Sequence, residues 1–177
     1  MAYNVTASRR SGFTSKLGLI CLAVAVLSAA ALGGALAIEH IGGVAPCPLC
    51  LDQRIAYYAA VPLALLALWL LPGNVHLSRV ILALLAVGFL LNAGLGIYHS
   101  GIEWSWWSGP ETCSGTGTIA TTPDALLESL KNPRVVRCDE AALRILGLSL
   151  AGYSALVSAW LAALAGLGAA AGRSLAA

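Results

Sequence analysis

The sequence predicts an all-α membrane protein: a four-transmembrane-helix bundle with a short and a long polar loop on one side. Three observations predict it. The 177 residues are 59% hydrophobic and only 10% charged, with a mean hydropathy of +0.83, far more apolar than a soluble domain of this size requires. Four apolar runs are each of about the ~20-residue length that crosses a hydrocarbon core of about 30 Å. Polar sequence between those runs gathers mainly in two stretches, 39–50 and 99–142. A net charge of +2 is small and unclustered, so nucleic acid is excluded as a partner. The chain reads as a single integral membrane domain, 1–177, whose surroundings are the lipid bilayer.

Met1 to Lys16 is polar, carries Arg9, Arg10 and Lys16, and has no periodicity, so it is expected to be a short flexible tail. Residues 17–38 form the first span. A secretory signal peptide is the rival reading, because basic residues precede the run and Ala35-Leu36-Ala37 offers a cleavage site. The length of the run and the spans that follow argue against it. Residues 51–71 form the second span, with Pro62 as a tolerated kink and Pro72-Gly73-Asn74 as its end. Residues 80–98 form the third. There Gly88, Asn92 and Gly96 recur every four residues, predicting a small-residue stripe for close packing, with Asn92 bonding to another helix. Residues 143–168 form the fourth.

The long loop, 99–142, opens with Glu103-Trp104-Ser105-Trp106-Trp107, whose indoles suit a membrane–water interface. A Gly/Ser/Thr-rich stretch surrounds Cys113. Thr122-Pro123-Asp124 reads as a helix start. The helix it opens, through Lys131, carries Leu126, Leu127 and Leu130 on one side, predicting a short amphipathic helix on the bilayer surface. Basic residues are balanced between the two sides. The first span breaks the tie, with three basic residues before it and none in the turn after it. The N- and C-termini are therefore expected in the cytoplasm and both loops in the periplasm.

Of five cysteines, Cys21 falls inside the first span and reads as a small buried hydrophobe. The other four share one face of the membrane and form two natural pairs, Cys47 with Cys50 and Cys113 with Cys138. The first lies in Pro46-Cys47-Pro48-Leu49-Cys50-Leu51-Asp52-Gln53-Arg54. Pro48 pushes Cys47 out of the helical region and itself suits the first helical position. Cys47 is thus expected at the N-cap and Cys50 in the first turn, where the helix dipole favours thiolates. Arg54 lies one turn beyond Cys50 on the same face. A fixed cation there stabilises the Cys50 thiolate or donates to an oxygen acceptor beside it.

Cys113, in its Gly-rich stretch, is expected to be mobile and reachable by a soluble partner. Thiol–disulfide exchange can pass a disulfide from one pair to the other through mixed intermediates. Blander readings stand beside this one. The Cys-X-X-Cys also suits a static disulfide, or a zinc site completed by His40 and His99 or by the loop cysteines. That would make the chain a metal-binding or structural, disulfide-stapled membrane protein. Glu39, Asp52 and Glu103 read as solvated boundary charges, and the tryptophans as an interfacial belt.

With these residues in place, the chain resembles the disulfide-bond formation protein B (DsbB) family. These are quinone-linked inner-membrane oxidases that reoxidise a periplasmic thioredoxin-fold dithiol oxidase. The resemblance rests on the order of four helices, a Cys-X-X-Cys followed four residues later by Arg, and a second loop with two widely spaced cysteines, over Glu39 to about Gly152. It implies a bacterial inner-membrane, multi-pass, protein-dithiol:quinone oxidoreductase using ubiquinone or menaquinone. By position it makes Cys47 and Cys50 the membrane-proximal redox pair, with Cys50 facing the quinone and Arg54 contacting it. Cys113 and Cys138 become the pair that exchanges with the soluble partner, and His99 matches the family's histidine near the quinone. The vitamin K epoxide reductase family also couples two cysteine pairs to a quinone-like ring. There the loop pair precedes the Cys-X-X-Cys, the reverse of the order here.

Overall fold

The computed structural model describes residues 2–110, 113 and 137–171, with side chains from residue 14 onward. Four helices dominate it: α1 (Ala2–His40), α2 (Pro48–Leu70), α3 (Val75–Glu103) and α4 (Leu150–Ala170). A two-stranded hairpin, β1 (Arg144–Ile145) and β2 (Leu148–Ser149), leads into α4. All four helices are long and apolar enough to cross a membrane. The fold is the four-span bundle expected. Only 22 to 39% of each span's apolar window is buried in protein, and Leu84, Leu91, Leu156 and Leu167 stand exposed. Those faces are left for lipid.

Inside the bundle, Leu17, Val24, Leu82, Phe89 and Leu161 pack against Ala60, Ala64, Ala67 and Ala165. Small residues matter here because bilayer association depends on close backbone approach and interhelical hydrogen bonds. Gly96 lies against Ala155 of α4 so closely that a Cβ on it would sit 2.9 Å from the Ala155 Cβ. Asn92 Nδ2 donates to Ser158 Oγ at 2.9 Å, and Tyr57 OH shares a 2.8 Å hydrogen bond with the same oxygen. One polar network therefore ties α2, α3 and α4 together. Gly88 does not join the stripe. It is exposed, with nothing within 4 Å of a built Cβ, because a four-residue step over-rotates a helix by roughly 40° and the row drifts off the contact face.

Three boundaries differ from the sequence reading. α1 begins at Ala2 rather than after a flexible tail, since no proline interrupts the residues leading into the span. α3 runs from Val75, capped by Asn74 Oδ1 accepting Leu77 N–H at 3.0 Å, to Glu103. Nothing between Tyr98 and Glu103 breaks it. Gly101 is required there, because the Trp107 ring folds over it and a Cβ would lie 2.0 Å from that ring. α4 starts later than residue 143. The chain first turns at Leu146 (φ 51°) and Gly147 (φ 83°), pairing Arg144 with Ser149 and Ile145 with Leu148. Positive φ at both central residues is the signature of a type I′ hairpin turn. Ser149 then caps α4, its Oγ accepting Gly152 N–H at 3.2 Å. The amphipathic helix expected over 122–131 lies outside the described residues.

Candidate active site

The site is assembled where α2 begins and α3 ends. Cys47 is the N-cap of α2, with extended backbone and Pro48 following. Its Sγ accepts Cys50 N–H at 3.2 Å, so the helix start itself fixes both sulfurs. The two thiols are free, with Cys47 S–H donating to Cys50 Sγ across 2.7 Å. Donation to Cys50, followed by burial, pushes the Cys47 thiol well above its ordinary range. The expectation that the helix end would favour a thiolate at both positions fails at Cys47. Its proton is held to serve the Cys50 sulfur.

The second pair lies directly against the first. Cys113 and Cys138 are joined by a disulfide, with Cα atoms 5.0 Å apart. Cys113 N–H donates to Pro110 O and Cys138 N–H to Cys113 O. Both sulfurs pack with Cys47, Leu49 and Ile102 in one buried cluster, each residue only 1% exposed. Cys113 is therefore not the accessible residue that its polar, Gly-rich neighbourhood predicted. The disulfide is an apolar group, and the ends of α2 and α3 give it an apolar place to sit.

His99 stands between the pairs. The ligating atoms of Cys47, His99 and Cys138 all lie within 4.8 Å of one another. His99 Nε2 is 3.6 Å from Cys47 Sγ, and Nδ1 is 2.9 Å from the Gln53 amide. Glu103, one turn beyond on α3, places a carboxylate oxygen 3.9 Å from Nε2. Its side chain is 5% exposed, not solvated as the sequence reading had it. The extension of α3 past Tyr98 is what carries it inward. Gln53 was missed altogether, although its position three residues after Cys50 puts it on the same helical face. Arg54 forms an ion pair with Glu39 at the end of α1, so Glu39 too is engaged rather than free.

A cavity of about 290 Å³ opens beside these groups. Its walls are apolar, with Ala31, Ala35, Ile38, Leu150 and Val157 among them. Its polar end carries Cys47, Cys50, Gln53, Arg54, His99 and Glu103. Apolar walls with a few convergent polar groups are what a small-molecule site needs. None of the tryptophans lines it. As a metal site the cluster is short of donors in this state, because the Cys138 sulfur is already bonded to Cys113 and structural zinc takes four ligands.

A four-span membrane bundle that sets a dithiol against a buried disulfide defines a membrane thiol–disulfide oxidoreductase. Comparison with known proteins gives its family. Residues 18–168 match the family described as Disulfide bond formation protein DsbB, and the chain belongs to that family of membrane disulfide oxidases. It is 31% identical over 153 residues to Disulfide bond formation protein B 1 of Pseudomonas entomophila, covering 83% of this chain and 82% of that one. It is 30% identical over 167 residues to the protein of the same description in Pseudomonas putida, covering 91% and 90%. A Rickettsia prowazekii protein, Uncharacterized protein RP370, is 28% identical over 156 residues, covering 85% of each. No solved structure matches.

Proposed function

We propose that the chain is a quinone-dependent protein-disulfide oxidase. It reoxidises a periplasmic thioredoxin-fold dithiol oxidase and passes the electrons through its two cysteine pairs to membrane ubiquinone or menaquinone. The observation that carries this is the juxtaposition of Cys47 and Cys138, sulfurs within 4.8 Å, beside an apolar cavity that Cys47 and Cys50 border. The residues suit a quinone. Glu103 Oε2 is buried without a hydrogen-bond partner among the described residues, and a ring hydroxyl would satisfy it. Arg54 supplies donors for a ring carbonyl, since its guanidinium has more N–H groups than Glu39 uses.

A partner thiolate attacks the Cys113–Cys138 disulfide and forms a mixed disulfide, freeing Cys138. Cys138 then attacks Cys47 of an oxidised Cys47–Cys50 pair, and Cys50 leaves as a thiolate at the cavity wall. The partner's second thiol closes the partner's own disulfide and frees Cys113. Cys113 attacks Cys138 and expels Cys47, which restores Cys113–Cys138 and leaves Cys47 and Cys50 reduced, the arrangement described above. Quinone, when bound, supplies the two-electron acceptor. Arg54 orients it and opposes the charge that develops on its oxygen. The protein sits in the bacterial inner membrane, termini in the cytoplasm and both loops in the periplasm.

The test is quinone loss, followed by absorbance, with purified detergent-solubilised protein and a reduced thioredoxin-fold dithiol, alongside Cys50→Ser. Dithiol-dependent loss that disappears in the variant is expected. No loss with either quinone would sink the reading.

A further inference from the structure

Closing the Cys47–Cys50 disulfide requires that the Cys47 proton leave its sulfur, because the thiolate is the nucleophile. In the reduced pair that proton is donated to Cys50 Sγ. Once the Cys50 sulfur gives up its charge, the proton needs another acceptor. His99 Nε2 stands 3.6 Å from Cys47 Sγ. Its Nδ1 faces the Gln53 amide at 2.9 Å, and which end of an amide faces a ring is set by the hydrogen bonds available. With Oε1 toward the ring, Gln53 accepts Nδ1–H and an otherwise unpartnered oxygen is satisfied. The Nε2 lone pair is then left facing Cys47. A nucleophile, a base and a third group orienting the base recur wherever thiols are activated.

Glu103 adds a place for the proton to go. Its carboxylate approaches Nε2 to 3.9 Å and lines the cavity. A carboxyl buried in a membrane span is expensive and marks function by default. The other charged and titratable groups lining this corner are Cys50 and Arg54 of α2, and Arg137 and Glu140 before β1, with Glu39 of α1 behind Arg54. Arg144 of β1 acts on Glu103, and Tyr153 lines the cavity from α4. Arg54 is a donor only, and Tyr57 is bonded to Ser158. Among the described residues, His99 is left as the base beside Cys47.

We propose that Cys47, His99 and Gln53 form a thiol-activating triad, with Gln53 a positioning residue that fixes the His99 tautomer and Glu103 the holder of the proton His99 removes. The step rests on the oxidase reading above. Cys47 S–H gives its proton to Nε2, the Cys47 sulfur bonds to the Cys50 sulfur, and the two electrons of the dithiol leave to the quinone. The proton passes from Nε2 to Glu103 and on to the ring oxygen, and the second proton, which Cys50 shed to water when its thiolate formed, returns from water to complete the hydroquinone. A dithiol and a quinone become a disulfide and a hydroquinone, with protons and electrons balanced.

The first readout needs no quinone. It is the pH profile of N-ethylmaleimide alkylation in a full-length variant keeping only Cys47 (Cys21→Ala, with Cys50, Cys113 and Cys138→Ser). Gln53→Leu is expected to move that profile up by about one pH unit, a tenfold loss at neutral pH. Gln53→Glu, which still accepts Nδ1–H, keeps the parent profile. The second readout is single-turnover closure of Cys47–Cys50 by a soluble short-chain ubiquinone with all five cysteines present. There Glu103→Gln is expected to slow closure at least about tenfold. An unmoved profile in Gln53→Leu, or equal loss in Leu and Glu variants, overturns the triad. Unchanged closure in Glu103→Gln overturns the proton role. If the parent protein reduces no quinone while the Cys47 profile follows Gln53 as stated, the oxidase reading falls and the triad stands.

Discussion

The sulfur of Cys47 lies within 4.8 Å of the sulfur of Cys138, although α2, α3 and the long loop separate them in the chain. A disulfide across the two pairs is therefore within reach of a small side-chain movement. Removing the competing thiol exposes it. In Cys50→Ser, Cys47 attacks Cys138, Cys113 leaves as a free thiol, and the Cys47–Cys138 link accumulates. Mass spectrometry of a non-reduced digest is expected to find the linked peptides. Recovery of Cys113–Cys138 alone would show that the pairs do not exchange by this route.

Arg54 is shared between Glu39 and the cavity. Arg54→Ala removes a charged donor from the cavity's polar end, a loss of about 1.5–3 kcal/mol for a charge-assisted hydrogen bond. KM for quinone is then expected to rise roughly tenfold to a hundredfold, while the Cys113–Cys138 disulfide still exchanges with a partner dithiol. Steady-state kinetics at varied quinone check this, and unchanged quinone kinetics remove Arg54 from the site.

The raised Cys47 thiol makes stability depend on pH in the reduced protein. A thiol whose folded value lies above the unfolded one contributes fully below the ordinary value of 9.0. Above it the unfolded chain sheds the proton while the folded one keeps it, so stability declines as pH rises. Tm of the reduced protein in detergent is expected to fall through pH 9 and beyond. Cys47→Ser is expected to fall less. Parallel curves for the two would contradict the assignment.

Packing gives a contrast between two glycines on one helix. Gly96→Ala drives a methyl to 2.9 Å from the Ala155 Cβ, and overpacking of this kind costs about 1–3 kcal/mol. Gly88→Ala meets nothing within 4 Å and gains helix propensity. A lowered Tm for the first and an unchanged or raised Tm for the second are expected. Equal effects would mean that α3 and α4 do not pack along this face.

What could be read before the structure followed from local rules. The N-cap at Cys47 came from Pro48, the four spans from run length, and the bond from Asn92 to another helix from its place on an apolar helix. What could not be read depended on where chain segments meet. Glu103 looked like a boundary charge because Trp104 and Trp106 beside it are exposed, yet one more helical turn directs it inward. Cys113 looked accessible because its neighbours in sequence are polar, while its burial is decided by Ile102 and Leu49. Gln53 carried the right helical spacing but no chemistry of its own until His99 was placed opposite it. The hairpin before α4 was present in Leu146-Gly147 and Ser149, a turn and a cap that the surrounding apolar sequence masked.

A disulfide with both residues only 1% exposed also sets who is allowed to react with it. Attack on a disulfide needs a line of approach to one sulfur, and a dissolved small thiol such as glutathione finds none here. On the oxidase reading, a protein that docks and displaces what covers the sulfurs as it binds opens that line. The burial of Cys113 and Cys138 thus works as insulation. On the oxidase reading proposed above, it keeps stray reductant from draining into the membrane electron chain and reserves that current for reductant arriving on a matching surface.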